Sequence, residues 1–177
     1  MSDLNRFRWL NTAVVMIIIA NLICGVISIC TSQNLFFSAL SLWVVGGMLL
    51  AFLHGTAMLG FKNIIMFFIV GMAVSLFFES MGANFGLFFS KYHYTDYIPG
   101  PKLFGFDVYS MVAYGLGCYM IWVLAQAVVG QFDNKFRRGD VVLIPIVSAL
   151  LLVSIDFATD PLLSTIHNVH IWEKPGV

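Results

Sequence analysis

Five long apolar runs dominate this sequence, and each is long enough to cross a lipid bilayer. They occupy residues 10–30, 35–60, 64–89, 108–130 and 141–159. A membrane-spanning helix needs about 20 mostly apolar residues. The pattern predicts an all-α fold, a polytopic transmembrane helix bundle with about five spans. Residues 1–177 are expected to form a single integral membrane domain.

The composition agrees with lipid as the solvent. Apolar residues make up 60% of the chain and charged residues 10%, whereas a soluble domain has about 25% charged residues. The formal net charge is zero, so no nucleic-acid partner is predicted. The first run resembles a signal peptide, but it is longer than a signal peptide's apolar region, which favours a retained helix.

The segments between the runs are expected to be irregular. Polar residues at 31–34 and 61–63 predict tight turns, residues 91–106 a longer loop, and residues 164–177 a tail. With five spans, the N-terminal side carries six basic residues, Arg6, Arg8, Lys62, Lys135, Arg137 and Arg138. The other side carries three, Lys91, Lys102 and Lys174. Because cytoplasmic loops are enriched in Lys and Arg, the N-terminus is predicted to be cytoplasmic.

Four acidic residues fall near the opposite, non-cytoplasmic ends of the predicted spans. They are Glu79, Asp107, Asp156 and Asp160. An acid inside a span costs about 3 kcal/mol or more unless it faces the bundle interior. Glu79 lies deepest, so a functional role is the first hypothesis and an interhelical hydrogen-bond anchor the alternative. Its helical face also carries small residues, which predicts a close approach of another helix. These are Gly71, Ser75, Gly82 and Gly86.

Asp156 and Asp160 lie one helical turn apart and share a face. Two nearby carboxylates repel each other, and an apolar surround penalises charge, so at least one is expected to be protonated at neutral pH. Such a pair supplies an acid and a base within one site. For Asp160, turn chemistry before Pro161 is an alternative, and Asp107 is equally well explained as a helix N-cap.

The loop and the tail contribute histidines and aromatic residues on the same side. His93 and the neighbouring tyrosines are typical of an interfacial aromatic belt, with catalysis as the alternative. His167 and His170 form an H-x-x-H pattern, which also occurs in metal sites. Tail histidines at a membrane surface need no such role, and no metal ligand is predicted.

Three kinds of chemistry are candidates for an acidic site with apolar walls. Membrane di-iron oxygenases need several histidine boxes, and this chain has four scattered histidines. Intramembrane prenyltransferases use paired D-x-x-x-D motifs, of which only Asp156-x-x-x-Asp160 is present. Acid-catalysed hydration of an alkene needs a positioned acid, groups that stabilise a carbocation, and a carboxylate that deprotonates water. Glu79, Asp156 and Asp160 meet these needs.

Several segments together resemble one protein family. They are FESMGANFG at 78–86, YHYT at 92–95, GPKLFG at 100–105, SIDFATDP at 154–161 and WEKPG at 172–176. Their order and approximate spacing resemble the carotenoid biosynthesis membrane proteins that include bacterial and haloarchaeal carotenoid hydratases. The matching positions are Glu79, Gly82, Gly86, Tyr94, Asp156, Asp160, Pro161, Trp172 and Glu173. Family members continue beyond the position of Val177, so the chain is expected to be incomplete at its C-terminus.

The resemblance implies hydration of the terminal isopropylidene double bond of a carotenoid, without a redox cofactor, in a bacterial or archaeal cytoplasmic membrane. The predicted catalytic residues are Glu79, Asp156 and Asp160. The predicted substrate-binding residues are Asp107, His93, Tyr94 and Trp172. Expected partners are the lipid bilayer, a carotenoid or other long isoprenoid, and other carotenoid-pathway enzymes. The first alternative is a non-enzymatic membrane subunit that binds carotenoid or organises a biosynthetic complex, and the second is an intramembrane prenyltransferase.

Overall fold

The computed structural model describes residues 33–87, 90–98, 100–131 and 137–173, together with Met16, Ala20 and Ile23. Apart from those three positions, the predicted first span, 10–30, lies outside the described residues. The described part of the chain is mostly helical. The predicted all-α character therefore holds for the spans, and the exceptions are short strands in the loop and the tail.

Four helices follow the predicted apolar runs to within a few residues. They are α1 (Gln33–Leu59), α2 (Phe61–Phe85), α3 (Val108–Val129) and α4 (Asp140–Pro161), and a π-helical turn, Leu162–Ile166, continues α4. Within the described residues, these four are long and apolar enough to cross a membrane. The described residues thus contain four candidate spans, and the predicted count of about five is not confirmed.

The polar turn predicted at residues 61–63 is wrong. Those residues begin α2, and the break from α1 is the single residue Gly60, with φ of 86°. Glycine adopts this left-handed conformation at little steric cost, so one residue suffices for the break. The side-chain amide of Asn63 donates to the backbone carbonyl of Leu59 at 2.8 Å, which satisfies a carbonyl at the end of α1.

The chain divides into two compact units, Met1–Ile64 and Ile65–Val177. In the first unit, the rings of Phe52 and Phe61 meet edge to face at 5.7 Å. The second unit contains α3 and α4, most of α2, and all the strands. Every predicted site residue belongs to this second unit.

In the second unit, α3 packs against both α2 and α4. The rings of Phe67 and Phe68 in α2 lie 5.7 and 5.9 Å from that of Tyr119 in α3. Along the same contact, a Cβ at Gly115 would lie 3.0 Å from Cγ of Met72. α4 packs on α3 as well, and most of its outer surface is exposed and apolar, including Val141, Leu150 and Phe157. Surface of this kind is suited to lipid.

At Gly71, the close approach expected along the small-residue face of α2 is not found among the described residues. A Cβ at Gly71 would meet no atom within 4 Å among the described residues. The close contact is made instead by Gly115 of α3. Small residues on one helix identify a face that permits close packing, but they do not determine which helix uses it.

Short strands replace the irregular structure predicted for the loop and tail. β1 (Tyr92–Tyr94) pairs antiparallel with β4 (His170–Trp172), and β2 (Lys102–Leu103) forms a hairpin with β3 (Phe106–Asp107). Beyond β1 and β4, Thr95 N–H donates to Val169 O at 2.9 Å, and Glu173 N–H donates to Lys91 O at 2.8 Å. We call the β1–β4 pair the ribbon. It joins the loop after α2 to the tail after α4.

The α2–α3 contact is tested by substitution at two glycines of α3. Gly115→Val is expected to lower stability by about 1–3 kcal/mol, because the added atoms overpack the space already filled by Met72. Gly117→Val is the matched control, since a Cβ there meets nothing within 4 Å. Thermal unfolding of both variants in detergent gives the comparison, and equal melting temperatures would contradict the described contact.

Candidate active site

The ribbon places four aromatic side chains on one face. In its register, Tyr94 lies opposite His170, Tyr92 opposite Trp172, and His93 opposite Ile171. Because side chains alternate along a strand, Tyr92, Tyr94, His170 and Trp172 share a face. His93 and Ile171 occupy the other face, and both are exposed.

Two tyrosines of the ribbon hold the carboxylate of Glu79. The hydroxyl of Tyr92 donates to Oε2 of Glu79 in a short hydrogen bond, and the hydroxyl of Tyr94 donates to the same oxygen at 3.3 Å. Glu79 is part-buried near the end of α2. A carboxylate removed from water needs such donors, because an unpaired buried charge is costly.

Both tyrosines remain donors at neutral pH. Burial, the charge of Glu79 and the hydrogen bond to Glu79 raise the pKa of Tyr92 above its ordinary value. Burial, followed by the nearby Glu79 and Tyr92, raises the pKa of Tyr94 well above its ordinary value. The two hydroxyls therefore keep their protons and can donate to the carboxylate.

A second carboxylate, Asp160, is held by a histidine of the ribbon. Nε2 of His170 lies 3.0 Å from Oδ1 of Asp160, and the His170 side chain is 9% exposed. The imidazole packs against three rings of the same ribbon face, with centroids 5.6 Å from Tyr92, 5.9 Å from Tyr94 and 5.5 Å from Trp172. Asp160 is thus bonded to the tail, and the turn chemistry considered for it is not what holds its side chain.

Asp156 differs from the other two acids in having no hydrogen-bond donor among the described residues. It lies within electrostatic range of Asp160, Glu79 and His170, and its side of α4 is exposed. Tyr114 of α3 lies near both Glu79 and Asp156. Three carboxyl groups from two helices are therefore close together, and only Glu79 and Asp160 have donors of their own.

Aromatic rings continue from the ribbon down to α3. The ring of Tyr94 lies 5.4 Å from that of Phe106, which lies 6.0 Å from that of Tyr114. Phe106 is fully buried. These rings and the three carboxyl groups form the candidate site, which is acidic, largely apolar and located at one end of the helices.

Asp107 occupies the N-cap position of α3 but makes no capping hydrogen bond. Its side chain is buried, and neither oxygen has a hydrogen-bond donor among the described residues. Burial raises the pKa of Asp107, and the nearby Lys102 opposes this effect. Asp107 ends β3 and pairs with Lys102 across the β2–β3 hairpin. Its charged neighbours are Lys102 and Asp96, and none of the three clustered acids is among them.

The remaining predicted residues fall in different places. Tyr94 contacts Glu79, and Trp172 packs against Tyr92 with ring centroids 5.0 Å apart. His93 lies outside the cluster, with Nδ1 3.8 Å from a carboxylate oxygen of Glu173. Strand alternation directs it away from the face that carries Tyr92 and Tyr94.

The H-x-x-H pattern does not bring its two histidines to one point. His167 Nδ1 lies 3.0 Å from the hydroxyl of Tyr97, whereas His170 contacts Asp160. Within the part of the chain that the structure describes, no group of three or more His, Cys, Asp or Glu side chains is arranged to hold a metal ion.

Sequence reasoning missed three residues that the structure brings to the site, Tyr92, Tyr114 and His170. The alternation Tyr92-His93-Tyr94 was the available indication that two tyrosines share a face. For His170, the sequence indicated a tail residue at the membrane surface, with a metal pair as the alternative. Its contact with Asp160 depends on the pairing of the tail with a distant loop.

These observations define a class, a helical membrane protein with an acidic, aromatic-lined site at one end of its spans. Residues 37–177 match the family model described as "Carotenoid biosynthesis protein". The chain belongs to the carotenoid biosynthesis protein family, as the resemblance of its motifs predicted. The match begins within α1 and so extends beyond the segments that carried that resemblance. No curated protein and no solved structure matches the chain.

The buried carboxyl of Asp107 predicts a pH dependence of stability. Its folded-state pKa is raised, so its contribution is present below the unfolded-state pKa and is lost as pH rises through the folded-state pKa. Asp107→Asn removes the charge, so its stability relative to the natural protein is expected to increase from about pH 4 to about pH 8. The gain is about 1.4 kcal/mol for each unit by which the pKa is raised.

Thermal unfolding across this pH range measures the effect. Glu173→Gln is the control, because Glu173 is exposed and its ion pair with Lys91 at 3.4 Å contributes little. This variant is expected to follow the pH profile of the natural protein. Parallel profiles for Asp107→Asn and the natural protein would contradict the assignment.

Proposed function

We propose that the protein hydrates the terminal isopropylidene double bond of a carotenoid and produces a tertiary alcohol. Family membership supports a role in carotenoid biosynthesis. The observation that carries the specific reaction is the cluster of Glu79, Asp156 and Asp160, in which each acid has different partners. Acid-catalysed hydration needs such unlike carboxyl groups within a single site.

Asp156 is the proposed general acid. Glu79 accepts hydrogen bonds from two hydroxyls, and Asp160 contacts an imidazole. Asp156 has neither kind of partner, so among three clustered carboxyl groups a proton is best placed there. Transfer of this proton to the less substituted alkene carbon forms a C–H bond and leaves a tertiary carbocation.

Glu79 and the aromatic rings of the site stabilise this carbocation. An anionic carboxylate held by Tyr92 and Tyr94 provides a fixed negative charge in an apolar surround, where it acts strongly. The faces of Tyr94, Phe106 and Tyr114 add cation–π attraction. No described cation contacts Glu79 to offset this charge.

Asp160 is the proposed base for the attacking water. The water oxygen bonds to the tertiary carbon as one of its protons passes to the Asp160 carboxylate. Return of a proton from Asp160 to Asp156 restores both groups. The balance is one alkene and one water giving one alcohol, with no electrons gained or lost and no cofactor consumed.

The polyene is proposed to lie between α2, α3 and α4, with its end at the carboxyl groups. Asp156 is on an exposed side of α4, next to the 79%-exposed Phe157. A lipid-soluble substrate therefore reaches the acid laterally from the bilayer. We place the N-terminus in the cytoplasm of a bacterial or archaeal cell, and the site at the other face of its cytoplasmic membrane, from the distribution of basic residues.

The test is production of hydroxylated carotenoid in a pigment-producing host. Asp156→Asn and Asp160→Asn are each expected to reduce product by at least about 100-fold, because each removes a proton-transfer group. Glu79→Gln is expected to reduce it as well, since it removes the negative charge. Mass spectrometry of extracted pigments detects the gain of one water.

Asp96→Asn is the control. It alters an exposed acid of the same side of the membrane, paired with Lys102 at 3.0 Å, and is expected to leave product at the natural level. Natural levels of product in Asp156→Asn and Asp160→Asn would refute the acid–base assignment. Pigment that co-purifies with the natural protein without any hydrated product would identify a carotenoid-binding subunit instead.

A further inference from the structure

His170 links the tail of the protein to the candidate base. Its Nε2 lies 3.0 Å from Oδ1 of Asp160. Among the described residues, no donor reaches the other carboxylate oxygen, Oδ2. The histidine thus occupies one oxygen and leaves the second available to a water molecule.

We propose that His170 is a positioning residue for Asp160. Its N–H fixes the carboxylate so that Oδ2 accepts the proton of the attacking water. This inference rests on the proposed hydration reaction and adds a residue to it. His170 keeps its own proton throughout, so the balance of atoms in the reaction is unchanged.

The surroundings of His170 suit this role. Tyr92, Tyr94 and Trp172 surround the imidazole with their rings, which restricts its orientation. Its side chain is 9% exposed, so little water competes for the hydrogen bond. A donor held rigidly in a low-dielectric surround orients its acceptor better than a mobile surface group does.

The ribbon also couples the two held carboxylates. Tyr94 and His170 are direct partners in the register. Tyr94 donates to Glu79 of α2, and His170 contacts Asp160 of α4. This pair of opposed residues therefore links the acid that stabilises the cation to the base, and substitution of His170 directly affects the placement of Asp160.

Two substitutions separate positioning from packing. His170→Phe keeps an aromatic ring but removes the donor, and is expected to reduce hydration by about 100-fold. His170→Gln keeps an N–H donor near the position of Nε2, and is expected to retain most activity. If His170 only fills space, the order of the two hydration activities is reversed, so that His170→Phe is active and His170→Gln is impaired. That reversed order, or natural activity in both variants, would overturn the proposal.

His167→Phe is the matched control for the activity comparison. It makes the same change three residues earlier in the tail, where the histidine contacts the hydroxyl of Tyr97. Its hydration activity is expected to stay close to the natural level. A loss of hydration activity in His167→Phe equal to that in His170→Phe would show that any change to the tail is damaging. That result would overturn the specific role of His170.

A measurement without substrate separates this proposal from the hydration reaction itself. In protein carrying ¹⁵N-labelled histidine in lipid, His170→Gln identifies the His170 resonances. Asp160→Asn is expected to shift them, and Asp156→Asn to shift them less. If the natural protein forms no alcohol but this shift occurs, the proposed reaction fails while the His170–Asp160 contact stands. Unshifted resonances in Asp160→Asn would disprove the contact.

Discussion

The antiparallel pairing of β1 with β4 is the interaction on which the site depends. It joins the loop after α2 to the tail after α4 and directs Tyr92, Tyr94 and His170 toward Glu79 and Asp160. Acids at the ends of membrane helices are costly unless donors compensate for lost hydration. The ribbon supplies those donors from outside the helices. Without it, the same acids would have to meet water or lose their charge.

The partners of the three acids, more than their residue types, distinguish their proposed roles. Glu79 accepts from two phenols, Asp160 contacts an imidazole, and Asp156 has no donor among the described residues. In the proposed mechanism, such a site holds negative charge at two fixed points and a proton at a third. That distribution suits the carbocation and water of an alkene hydration. Because Asp156 is also on the exposed side of α4, the proposed proton donor lies where we expect a lipid-borne substrate to arrive.

The sequence was sufficient to predict the helices and the acids, but not the ribbon. The apolar runs predicted α1 to α4 because a helix needs about 20 apolar residues to cross the bilayer. Up-and-down connection of the helices brought Glu79 and Asp156 to the same end. Strands of three residues are too short for their alternating pattern to be recognised in the sequence. The pairing of Tyr92 with Trp172 joins residues far apart in the chain, so local patterns do not predict it. Hence His93 was expected at the site but faces away, while Tyr92 and His170 were missed.

Infrared spectroscopy of the protein in lipid at neutral pH tests the charge distribution most directly. The difference spectrum between the natural protein and Asp156→Asn is expected to contain the C=O band of a protonated carboxyl group. The corresponding spectra for Glu79→Gln and Asp160→Asn are expected to contain carboxylate bands instead. A carboxylate band for Asp156, or a protonated band for Glu79 or Asp160, would contradict the account.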